Sequence, residues 1–120
     1  MAKPTLVLGA SENPQRYAYL AVNKLLAHGH PVMAIGKKAG KLRDVEILTG
    51  HPSLTGVDTI TLYLNPANQK PYYDYLLSLH PKRIIFNPGT ENDELMDMAR
   101  AKGIQTMEAC TLVMLSTGQY

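Results

Sequence analysis

The chain has 120 residues, the size of one domain spanning 1–120, and a formal net charge of +2, too mild to point to nucleic acid. A hydrophobic share of 45% and a charged share of 18% belong to a globular protein and exclude a disordered tail. The single Cys110 excludes an internal disulfide and a cysteine zinc cluster, while no stretch reaches the about 20 apolar residues of a membrane span, so a cytoplasmic protein with no membrane partner is expected.

The first apolar run is TLVL over 5–8, followed by Gly9, Ala10 and Ser11 and by a helix predicted over 15–28, where Ala18, Val22 and Leu25 recur at spacings of four and three. VMAI over 32–35 predicts a second strand that runs into a glycine- and lysine-rich loop over 36–43. TITLYL over 59–64 precedes a helix over 68–79, and RIIF over 83–86 precedes a helix over 91–102 with Leu95, Met98, Ala99 and Lys102 on one face. IQTM over 104–107 is the last predicted strand, and a short helix over 112–117 follows it. Strands this apolar are covered on both faces, and helices between them imply parallel pairing. The expected fold is therefore α/β: a Rossmann-like, doubly wound sheet of about five parallel strands.

Gly29, Pro31, Pro81 and Gly103 follow helices and read as stop signals. The loops over 9–14, 36–43, 65–68 and 87–92 follow strands, and in a parallel sheet they share the carboxyl edge where ligands bind. Gly9 allows close backbone approach, Ala10 and Ser11 add little bulk, and Ser11 or Asn13 is placed to cap the first helix, whose free N–H groups attract an anion such as phosphate. Arg16 puts a cation where an acidic residue suits the helix dipole better, a conflict that a bound anion resolves. Tyr17 lies beside the same turn. After the second strand, an NAD site carries an acid for the ribose hydroxyls; here Ile35 and Gly36 lead into Lys37, Lys38, Lys41 and Arg43. That loop suits an additional phosphate, as found on coenzyme A and NADP.

The recurring Asn65-Pro66 and Asn87-Pro88 pairs read equally as helix starts and as ligand contacts. No P-loop pattern is present, and Asn65 stands where a receiver domain carries its phosphoacceptor aspartate. The four histidines lack ligand spacing, so no metal is expected, and Cys110 has no histidine placed beside it by sequence, so no catalytic residue is assigned.

Gly9, Ala10, Ser11, Pro14, Arg16 and Tyr17, the Gly-Lys loop, the run Asn87-Pro88-Gly89-Thr90-Glu91-Asn92 and Cys110 resemble the small single-domain CoA-binding proteins. They are similar, more distantly, to the N-terminal domain of the succinyl-CoA synthetase alpha subunit. The resemblance covers nearly the whole chain. It implies that Gly9, Ala10, Ser11 and Arg16 meet the phosphates and that Ile35, Gly36, Lys37 and Lys38 meet the adenosine phosphate and ribose. Leu64, Asn65, Pro66, Asn87, Pro88, Gly89 and Thr90 would flank the adenine and the pantetheine. Many members carry a Pro-Val-Asn-Pro-like turn after the second strand, where this chain has Ala34-Ile35-Gly36-Lys37.

The leading expectation is a non-catalytic module for coenzyme A or an acyl-CoA, with a small-molecule ligand and no nucleic acid. Two alternatives stay open: an enzyme or enzyme subunit that uses NADP or relies on a partner enzyme, and an interaction domain, a homo-oligomer for instance, with a vestigial site.

Overall fold

Leucine, isoleucine, valine and threonine runs form the central strands of a seven-stranded sheet in the computed structural model, which describes residues 2–120. In chain order the elements are β1 (Thr5–Leu8), α1 (Tyr17–Ala27), β2 (Val32–Ile35), β3 (Gly40–Leu42), β4 (Val45–Leu48) and β5 (Thr59–Leu62). There follow α2 (Pro66–Gln69), a 3₁₀ turn (Lys70–Tyr72), α3 (Tyr73–Ser78), β6 (Arg83–Phe86), α4 (Asp93–Ala101), β7 (Gln105–Glu108) and α5 (Thr111–Ser116). The strand order is β3-β4-β2-β1-β5-β6-β7, parallel except for the β3/β4 pair.

This is the expected Rossmann-like architecture with an added edge. The loop read over 36–43 contains β3, which turns back on β4 through Arg43, held at a positive φ of 54°. Both strands are short, and β4 alternates buried Val45 and Ile47 with exposed Glu46, the pattern of a strand with one face to solvent rather than of the apolar centre. The helix expected over 68–79 begins earlier, with Pro66 in its first turn and Asn65 as its cap, and then tightens into the 3₁₀ turn that contains Pro71. A proline ring there removes an N–H that a continuous helix would use.

Alternation along the strands sorts the core onto two faces. Leu6, Leu8, Ile60 and Leu62 face α3 and α4 through Leu76, Leu77, Leu95, Met96 and Ala99. Val7 and Ala34 face α1 through Ala18, Val22 and Leu25, with Leu115 of α5 alongside. On α4 the buried positions are Leu95, Met96 and Ala99, while Met98 is half-buried and Lys102, expected on the same face, is exposed.

At the amino edge of the sheet the Arg83 guanidinium lies 4.4 Å from the centre of the Tyr120 ring and donates to Thr59 Oγ1 at 2.8 Å. Among the described residues no helix is long and apolar enough to cross a membrane.

Candidate functional site

The crevice opens where the chain leaves β1 for β2 on one side and later returns to β5 on the other, the switch point at which open α/β sheets take ligands. A cleft of about 990 Å³ lies there, walled by the loops after β1, β2, β5 and β6. It is large enough for a nucleotide-sized molecule. A second hollow of about 160 Å³, lined by Leu8, Ile35, Leu64 and Tyr72 together with Gly9, Gly36, Lys37 and Asn68, shares several of these residues and adjoins it.

At its start the first loop packs so closely on the main chain that Gly9 has no space for a side chain. Gly9 has φ +100°, and a Cβ on it would come within 3.0 Å of the Tyr63 backbone. The Gly9 and Ala10 amides donate to the Ile35 carbonyl at 2.8 and 2.9 Å. These two N–H groups are thus committed to the neighbouring loop, and a phosphate would meet other donors. Those donors belong to α1. Neither Ser11 nor Asn13 caps it, contrary to expectation: Ser11 Oγ accepts from the Asn13 amide and Asn13 Oδ1 from the Gln15 amide, each at 3.0 Å. Both side chains stabilise the loop, so the helix starts two residues later than predicted, at Tyr17. Its cap residue is Arg16, which makes no side-chain cap hydrogen bond, and its first turn holds no acidic residue. An eleven-residue helix therefore points an uncapped, electropositive end at the cleft.

Arg16, Lys37 and Lys38 line the same space and are exposed. Among the described residues the one ion pair is Lys82 to Asp58, at the opposite edge of the sheet, so no carboxylate is ion-paired with the cleft cations. Tyr17 stands at the rim, 71% exposed. Tyr63 forms part of the wall; its hydroxyl is buried without a hydrogen-bond partner, and burial pushes it above the ordinary phenol range.

The structure gathers Gly9, Ala10, Ser11, Arg16, Tyr17, Lys37, Lys38, Leu64, Asn65, Pro88, Gly89 and Thr90 around the cleft, and Ile35 and Gly36 around the hollow beside it. Pro66 and Asn87 line neither. Pro66 opens α2. The Asn87 amide is spent internally: its nitrogen donates to Thr61 Oγ1 at 2.6 Å and to the Leu62 carbonyl at 2.9 Å, and its oxygen accepts the Thr111 amide at 2.8 Å. It ties β5 and β6 to the start of α5, outside the lining of the cleft.

Several wall residues escaped the sequence reading, notably Glu12, Tyr63 and Asn68. Behind the wall lies another, Gln69. It is completely buried, and its amide nitrogen donates at 2.8 Å to the carbonyls of both Leu64 and Thr90, two residues of the cleft. Its oxygen accepts from Asn92 Nδ2 at 2.9 Å, which also donates to the Tyr73 hydroxyl at 2.8 Å, and Asn92 Oδ1 caps α4. One buried network thereby sets the spacing of the loops after β5 and β6.

A doubly wound α/β domain with an uncapped helix end and cations outside any ion pair at its switch point is a Rossmann-like fold with its crevice where open α/β sheets take ligands. The sequence matches the model of the CoA binding domain over residues 3–116, and the chain belongs to that family. No curated protein matches it. Among solved structures, it is similar to the crystal structure of an uncharacterized protein, with a TM-score of 0.97 and 50% identity over 100% of this chain and 99% of the other. A Thermus thermophilus protein, cell-free ID.343, has a TM-score of 0.87 at 20% identity, covering 99% of this chain and 91% of that one. The dinucleotide-forming acetyl-coenzyme A synthetase 1 of Ca. Korarchaeum cryptofilum, in complex with phosphate and ADP, has a TM-score of 0.73 at 19% identity; the match covers 88% of this chain and 25% of that one. The last two likenesses speak for the fold.

Proposed function

We propose that the chain is a cytoplasmic, non-catalytic binding module for coenzyme A or an acyl-CoA. The observation that carries this reading is the cleft itself: the uncapped end of α1, Arg16, Lys37 and Lys38 face one space with no carboxylate paired to them. Membership of the CoA binding domain family supports the choice of coenzyme A among nucleotide ligands. In this reading the α1 amides and Arg16 take the diphosphate, Lys37 and Lys38 take the phosphate on the adenosine ribose, and Leu64, Asn65, Pro88, Gly89 and Thr90 flank the remainder of the ligand.

A thermal-melt series with CoA, dephospho-CoA, NAD and NADP at one concentration tests it. Ligand at about 100 times its dissociation constant adds roughly 2.7 kcal/mol of stability, a readily measured shift. The expected order places CoA first; a melt that none of the four ligands shifts would refute the reading. Lys37→Glu is expected to weaken CoA at least tenfold and dephospho-CoA by less than threefold, because the ribose phosphate is the group it faces. Equal losses by calorimetry would remove the lysine loop from phosphate recognition.

A further inference from the structure

Glu12 is out of place on charge. It lines a cleft whose other ionised groups are cations, where a carboxylate opposes an anionic ligand. It is not a counter-ion for the lysines, since the one ion pair among the described residues lies elsewhere. Its oxygen Oε2 instead accepts the backbone N–H of Lys41 at 2.8 Å, across 29 residues of sequence. The contact depends on Gly40: a Cβ there would fall 2.5 to 2.8 Å from the Glu12 carboxyl atoms.

The result is a loop held at two points by the same neighbour. At its start, Gly36 packs so closely on the first loop that a Cβ would lie 2.3 Å from the Ala10 carbonyl oxygen. At its end, Glu12 holds Lys41. The exposed Lys37 and Lys38 sit between these anchors. A lysine on an untethered loop samples many positions and loses that freedom on binding, whereas a tethered one loses less.

We infer that Glu12 is a positioning residue: through the Lys41 amide it holds Lys37 and Lys38 at the cleft and so sets the preference for a ligand whose ribose carries a phosphate. This rests on the function proposed above for its ligand, although the tether itself does not. Glu12→Gln retains an acceptor oxygen, Glu12→Ala removes it, and Gly40→Ala pushes the carboxyl group away while altering only the flexible end of a side chain.

Two readouts on these variants separate the claims. Without ligand, hydrogen exchange at the Lys41 amide should quicken at least tenfold in Glu12→Ala and Gly40→Ala, with Glu12→Gln close to the parent. By calorimetry, the ratio of CoA to dephospho-CoA affinity should fall at least threefold in the same two variants and persist in Glu12→Gln; NADP against NAD reports whether a 2′-phosphate is read in the same way. Unchanged exchange overturns the tether whatever the ligand result. An unchanged affinity ratio despite a freed Lys41 amide overturns the positioning role while the proposed function stands. A parent protein that keeps the amide protected but binds neither ligand removes the proposed function, and the ligand preference with it.

Discussion

Replacing Gln69 with leucine is expected to lower stability by about 3 kcal/mol and to abolish measurable CoA binding. Leucine matches the volume but offers no hydrogen bond, so the carbonyls of Leu64 and Thr90 lose their shared donor and Asn92 loses an acceptor. Each unsatisfied buried polar group costs about 1–3 kcal/mol, and two carbonyls face that penalty together. The binding loss has a separate origin: Leu64 and Thr90 both line the cleft, on neighbouring loops that the shared amide nitrogen holds together. Chemical denaturation and calorimetry on the purified variant measure both effects. Parent-like stability would mean that the network is dispensable and that the two loops hold their spacing by other contacts.

Gly36→Ala is the second large effect. Gly36 is buried, its amide donates to the Leu48 carbonyl at 2.9 Å, and an added methyl group would meet the Ala10 oxygen at 2.3 Å and Ile47 Cγ2 at 3.0 Å. The first obstacle is backbone that is itself fixed by the Gly9 and Ala10 hydrogen bonds to Ile35, so relief requires the first and second loops to separate. Overpacking of this kind costs about 1–3 kcal/mol. The expected outcome is a melting temperature roughly 10 °C lower, from the usual scaling for a domain of this size, and a CoA affinity at least a hundredfold weaker. A folded variant with parent-like affinity would show that the loop junction does not shape the site.

The central sheet was legible because its strands are continuous apolar runs. TLVL, VMAI and RIIF are found at the predicted bounds, and the loops after them do share one edge. The β3/β4 edge was not, because GKL is short and polar and VEIL alternates, a signal easily lost beside a lysine-rich loop. The carboxyl-edge rule led to most of the cleft residues without any side-chain geometry. It does not say which polar side chains turn inward: Asn87 and Gln69 look alike in a sequence, and only the fold shows that both amides are engaged in internal hydrogen bonds. Glu12 escaped for a related reason, since its partner is a backbone amide distant in sequence. The preference of Ser11 and Asn13 for helix caps was real chemistry directed elsewhere, because both close turns before α1 begins. That displacement leaves the helix end uncapped.

The most direct measurement is a titration of isotopically labelled protein with CoA, followed by amide chemical shifts. Binding in the cleft predicts saturable shifts concentrated in the amides of Ser11 to Asn13, Gln15 to Ala18, Gly36 to Lys41, Tyr63 to Asn65, Ala67, Asn68, Gly89 and Thr90, with the α1 amides of Tyr17 and Ala18 moving most and the amino edge around Arg83 and Tyr120 unmoved. Shifts centred on that amino edge, or none at millimolar CoA, would contradict the account.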